Sequence, residues 1–134
     1  MRLFRKLSIV NSLTWQEITF HDLPDASLDG NGVPFIPSFK DECSIVFSTG
    51  NLEFGHSVVF TSPCYVSISN VAKQDMPPIA NVRATRTLFR KLSITGRIDN
   101  YLNEQNYNLD YAHNYETDFI LPGRSYSLTL TCQY

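Results

Sequence analysis

The sequence predicts an all-β fold, an antiparallel β-sandwich or jelly roll, formed by a single domain that spans residues 1–134. Three observations indicate this class. Apolar and hydroxyl side chains alternate with a period of two along several segments. Turn-forming residues separate those segments at roughly even spacing. No long stretch carries the period of about 3.6 residues that is typical of an amphipathic helix.

The alternating segments give the predicted strands. In chain order they are residues 13–20, 43–48, 58–61, 64–69, 79–85 and 125–132. The last is the clearest, because Tyr126, Leu128 and Leu130 alternate with serines and threonines. Such a strand places one face on a core and the other toward water.

Glycines and prolines mark the connections between these strands. The segments 29–32 and 48–51 and the pair Pro122-Gly123 carry residues that favour tight turns. Prolines at 34, 37, 77 and 78 argue against central strands and favour extended loops or edges.

Composition narrows the function classes. The formal charge is −2, so no overall field favours nucleic acid or an anionic membrane as a partner. The apolar runs are too short to cross a bilayer. The N-terminal segment lacks the apolar run and cleavage site of a signal peptide, so we expect synthesis in the cytosol. We also expect Cys43, Cys64 and Cys132 to be buried free thiols.

A seven-residue repeat is the most unusual feature of the chain. Leu3–Ile9 and Leu88–Ile94 are identical. Read as strands, both copies carry arginine on one face and lysine on the other. A cation on each face is typical of an edge strand, where charge discourages unwanted pairing. Alternatively, the arginines extend across a subunit contact.

A segment rich in tyrosine and asparagine, residues 99–117, is the second candidate surface. Tyr107, Tyr111 and Tyr115 fall on odd positions, whereas the even positions are almost wholly polar. Tyrosine combined with amide side chains suits recognition of a sugar or a protein. The alternative is an ordered surface loop whose tyrosines cover the sandwich.

The sequence predicts no catalytic residues, no metal site and no cofactor. It has no GxSxG motif, no cysteine beside a plausible base and no glycine-rich phosphate loop. Asp22, Asp25, Asp29 and Asn31 resemble a calcium loop only faintly, and we expect these side chains to cap turn amides instead.

These observations predict a non-enzymatic structural or assembly protein. It would form homo-oligomers or join a scaffold in a larger particle of the virus or phage type, with the virion as a possible location. A carbohydrate-binding or adhesion module that binds a glycan is the alternative. The predicted interaction residues are Phe4, Arg5, Lys6, Phe89, Arg90, Lys91, Tyr107, Tyr111 and Tyr115.

Overall fold

A computed structural model of the chain describes residues 5–89, 91–105, 107–108, 119–120 and 122–132. Its described residues are all-β, apart from a single 3-10 turn at Ala26–Leu28. The strands are β1 (Arg5–Trp15), β2 (Phe39–Thr49), β3 (Leu52–Thr61), β4 (Cys64–Tyr65), β5 (Lys73–Gln74), β6 (Ile79–Phe89), β7 (Leu92–Asp99), β8 (Tyr107–Asn108), β9 (Phe119–Ile120) and β10 (Ser125–Cys132). The prediction of an antiparallel all-β chain is therefore confirmed.

Six of these strands form one open antiparallel sheet, in the order β1-β2-β3-β6-β7-β10. Each of the six strands pairs with the next one in chain order; β4 and β5 lie in the connection from β3 to β6, and β8 and β9 lie in the connection from β7 to β10. The predicted turn at 48–51 joins β2 to β3, and Gly50 has φ +57°, which a glycine adopts without strain. β4 with β5, and β8 with β9, form two-stranded ladders.

The region between β1 and β2 and the region around β4 form a loop cluster beside the end of the sheet. Asn70 joins them, because its side chain accepts a hydrogen bond from the Gly32 amide at 2.7 Å and donates one to the Gly32 carbonyl at 2.9 Å. The strand predicted at 64–69 is wrong beyond Tyr65, since the chain turns there. The strand predicted at 13–20 ends at Trp15, although Thr19 and Gly32 form an isolated bridge.

The two copies of the repeat adopt different structures. The described part of the first copy is the start of edge strand β1, whereas the second spans the end of β6, a turn and the start of β7. The prediction that both copies are single strands is therefore wrong for the second. Leu92 and Ile94 nevertheless lie on the same face of the sheet as Leu7 and Ile9.

Little of the described chain is buried. The buried residues are Pro34, Gly55, Cys64, Ala80 and Asn100. The prediction of buried free thiols is confirmed for Cys64 but wrong for Cys132, which is exposed on the last strand; Cys43 is half-buried. A six-stranded sheet with so few buried residues has no second layer over most of its surface within the described residues.

Candidate interaction surface

The strand register divides the sheet into an apolar face and a polar face. Residues paired across neighbouring strands share a face, so the pairing can be followed through all six strands. One row on the apolar face runs Leu7, Phe47, Phe54, Ala84, Gly96 and Leu128. The next row runs Ile9, Ile45, His56, Val82, Ile98 and Tyr126. We call the surface that contains these two rows the apolar face.

Large side chains on the apolar face are open to solvent. Leu128 is 79% exposed, and Trp15, at the far end of β1, is 77% exposed. Other exposed members are Leu7, Ile9, Leu13, Phe39, Ile45, Phe47, Leu52, Phe54, Phe60, Tyr126 and Leu130. Contiguous exposed apolar surface of this extent is rare on monomeric soluble proteins and marks interaction sites.

The apolar face is uneven, with large side chains on β2 and β3 and a hollow over the small residues of β6 and β7. Phe47 and Phe54 lie side by side on β2 and β3. Ala84 and Gly96 follow in the same row on β6 and β7. A Cβ built on Gly96 would have no heavy atom within 4 Å, so the space above this residue is open.

One polar group near the centre of the apolar face already has a partner. The His56 Nε2 atom lies 2.9 Å from the Tyr101 hydroxyl, and the two ring centroids are 5.8 Å apart. Tyr101 reaches this position because Asn100 turns the chain after β7, with φ +49° and a hydrogen bond from its side chain to the Glu104 carbonyl. The His56 Nε2 atom can therefore be covered without losing a hydrogen bond to water.

The polar face carries mostly hydroxyls and paired charges, although Val10 is also exposed on it. Arg83 bonds Glu53 at 2.8 Å, and Arg97 bonds Asp99 at 2.6 Å. These arginines lie opposite each other and line a shallow depression of about 230 Å³ beside Gly55. Because each guanidinium has a carboxylate partner, the depression has no uncompensated positive charge for an anion.

The predicted interaction residues are only partly in the described structure. Arg5 lies on the apolar face at its margin and Lys6 on the polar face, while Phe89 and Lys91 are exposed at the β6–β7 turn. Tyr107 begins the short strand β8. Phe4, Arg90, Tyr111 and Tyr115 lie outside the described residues. The two basic segments reach the same end of the sheet but are separated by β2 and β3.

Sequence reasoning placed the apolar-face residues of β1, β2 and β10 but missed the first half of β3 and the pair Ala84 and Gly96. Leu52, Phe54, His56 and Val58 alternate with polar or small residues, so the period-two signal extends through all of β3. Ala84 and Gly96 carry no such signal, because only the strand register shows that they adjoin the phenylalanines.

The acidic loop is a capped turn, as expected. Asp25 accepts hydrogen bonds from the Ser27 hydroxyl and amide, which lower the pKa of this carboxyl. Asp29 accepts one from the Leu23 amide at 3.1 Å. Elsewhere, burial raises the pKa of the Cys64 thiol. Within the described residues, no group of three or more histidine, cysteine or acidic side chains is arranged to hold a metal ion.

Comparison with known proteins supplies no function for the chain. Neither the models of protein families nor the curated proteins give a match. The described part of the chain also contains no helix with the length and hydropathy of a membrane span.

Proposed function

We propose that this protein is a non-enzymatic assembly subunit that works by burying its apolar face against another protein surface. The single observation that carries this proposal is the set of large apolar side chains that β1, β2, β3 and β10 expose on one face of the six-stranded sheet. Homo-oligomers or a larger particle of the virus or phage type are the proposed products.

The physical reason is the cost of leaving this face in water. Burying apolar surface stabilises by about 25 cal/mol per Å², and a sheet with one apolar face is stable when a second layer covers it. The predicted sandwich would then arise between subunits, with the second layer supplied by a partner. This arrangement explains why the period-two pattern is strong although few side chains are buried among the residues that the structure describes.

The test compares two adjacent residues on opposite faces of edge strand β10. Leu128→Lys places a charge on the apolar face, and Thr129→Lys places the same charge on the polar face. Both positions are exposed in the single chain, so neither change should alter folding by more than about 0.5 kcal/mol. Solution mass is measured by sedimentation across a hundredfold range of protein concentration.

We expect the unchanged protein and Thr129→Lys to associate as concentration rises, and Leu128→Lys to remain smaller at every concentration. Circular dichroism of both variants controls for folding. An unchanged protein that is monomeric throughout the range would overturn the proposal. Equal association of the two variants would show that the apolar face is not the contact.

A further inference from the structure

We infer that the partner of the apolar face is a second copy of this chain, related by a two-fold axis that runs parallel to the strands. This inference rests on the proposed function and specifies its interface. In the resulting two-layer sandwich, Phe47 and Phe54 of each copy enter the hollow at Ala84 and Gly96 of the other.

The relief of the apolar face selects this axis. A two-fold axis parallel to the strands places the partner's strands in the opposite left-to-right order. It leaves each row at the same position along the strand direction. β3 then lies over the partner's β6, and β2 over the partner's β7. Phe54 meets Ala84 and Phe47 meets Gly96, so the bulk of one face fills the hollow of the other, twice by symmetry.

The other simple face-to-face arrangement fits poorly. A two-fold axis perpendicular to the strands places each strand over its own copy. Neither Phe47 nor Phe54 could then reach the hollow at Ala84 and Gly96, because β2 and β3 would not lie over the partner's β6 and β7. Interfaces of stable complexes are packed as densely as protein interiors, and an empty space lined by apolar groups forfeits contacts on both sides.

The dimensions of the sheet match those of a dimer interface. Six strands about 4.8 Å apart and eight residues about 3.3 Å apart give a face of about 29 by 26 Å. Each partner contributes about 800 Å² to an interface of standard size, and the projected area of this face, about 750 Å², is similar. Two sheets in such a sandwich pack about 10 Å apart with strands about 30° from parallel.

Charges on the apolar face lie toward its ends. Arg5 and Arg86 share the row beyond Leu7, where their long side chains can extend to solvent. Asp41 lies toward the opposite end, where it accepts a hydrogen bond from Asn11 at 2.6 Å. The two central rows contain no charged residue, so closing the dimer over them buries no unpaired charge.

Gly96→Leu tests this geometry. The open space above Gly96 admits a side chain in the single chain, and a glycine inside a strand is itself weakening. In the dimer the new side chain would occupy the place of the partner's Phe47. We expect the dimer dissociation constant to rise at least about tenfold, the effect of overfilling a packed contact.

A second change in the same chain should restore the dimer. Phe47→Ala removes the side chain that meets position 96, so Gly96→Leu with Phe47→Ala should dimerise more tightly than Gly96→Leu alone. This non-additivity identifies the two positions as contacting residues. Gly55→Ala is the control on the polar face, where the added Cβ meets ordinary contacts at 3.7 Å or more.

The outcomes separate this inference from the proposed function. Sedimentation of an unchanged protein that is always monomeric overturns both. Association that Leu128→Lys abolishes but Gly96→Leu does not would retain the assembly role and overturn the two-fold parallel to the strands. A complete absence of rescue by Phe47→Ala would do the same. Mass spectrometry of the native species that shows a dimer, together with rescue, supports the inference.

Discussion

The two faces of the six-stranded sheet differ in how many of their side chains find partners within one chain. On the polar face, Arg83 has Glu53, Arg97 has Asp99, and the Thr85 and Thr95 hydroxyls lie 3.0 Å apart. On the apolar face, the neighbouring row runs from Leu7 to Leu128 with its bulky members in solvent. The polar face therefore pairs several of its charges and hydroxyls within one chain, whereas the apolar face leaves large side chains in water.

This difference shows what strand alternation specifies. A period of two fixes which side chains share a face, but it does not specify whether the covering layer belongs to the same chain. Most β-sandwiches supply that layer from their own later strands. Here six of the described strands pair edge to edge into one layer, and under the proposed function the covering layer comes from a second subunit.

The largest expected effect is a free energy of unfolding that depends on protein concentration. If the apolar face is covered only in the dimer, folding and association are linked by mass action. The apparent free energy of unfolding should then rise by about 2.7 kcal/mol for each hundredfold increase in concentration. Urea unfolding followed by circular dichroism at two concentrations a hundredfold apart measures this shift.

The variants on the two faces control that experiment. Leu128→Lys should reduce the concentration dependence, whereas Thr129→Lys on the polar face should retain it. A urea midpoint that is the same at both concentrations for the unchanged protein would contradict the linkage.

The sequence predicted strand identity better than it predicted layers. β2, β6 and β10 follow from alternation and turn chemistry, and Gly50 marks the β2–β3 turn. The single layer was not predictable, because alternation is identical in open and closed sheets. The hollow was not predictable either, since Ala84 and Gly96 become neighbours only through a β6–β7 register set by pairing.

The repeated heptapeptide makes the same point about local and tertiary control. In β1 it continues as a straight edge strand paired with β2, whereas the second copy contains the turn between β6 and β7. The shared Leu-Ser-Ile has the same sidedness in both copies, with leucine and isoleucine on the apolar face and serine on the polar face. The same three residues therefore take the same faces in both copies, whereas strand pairing determines whether the chain continues as a strand or turns.

Cysteine reactivity offers an intermediate test of the two environments. Cys132 is exposed at the end of β10 on the apolar face, whereas Cys64 is 3% exposed and its pKa is raised by burial. A thiolate is the reacting species, so Cys64 should be labelled by a maleimide at least about tenfold more slowly than Cys132 near pH 7. Peptide mass spectrometry after timed labelling gives both rates.

Protein concentration extends the labelling test. Covering the apolar face should slow the labelling of Cys132 as concentration rises, and the rate for Cys64 should change less. Equal rates for the two thiols would contradict the burial of Cys64. A labelling rate of Cys132 that does not change with protein concentration would show that this residue lies outside the subunit contact.

The smallest effect is expected on the polar face itself. Glu53→Gln removes the ion pair with Arg83, whose side chains are 48% and 41% exposed, so solvent screens most of the attraction. The change should alter the free energy of unfolding by less than about 0.5 kcal/mol and leave the dimer unaffected. The matched change on the other side of the same strand, Phe54→Ala, should weaken the dimer at least about tenfold. Urea unfolding measures the change in stability, and sedimentation at one fixed concentration measures the change in association. If Glu53→Gln weakened association as much as Phe54→Ala, the two faces would not differ in their role.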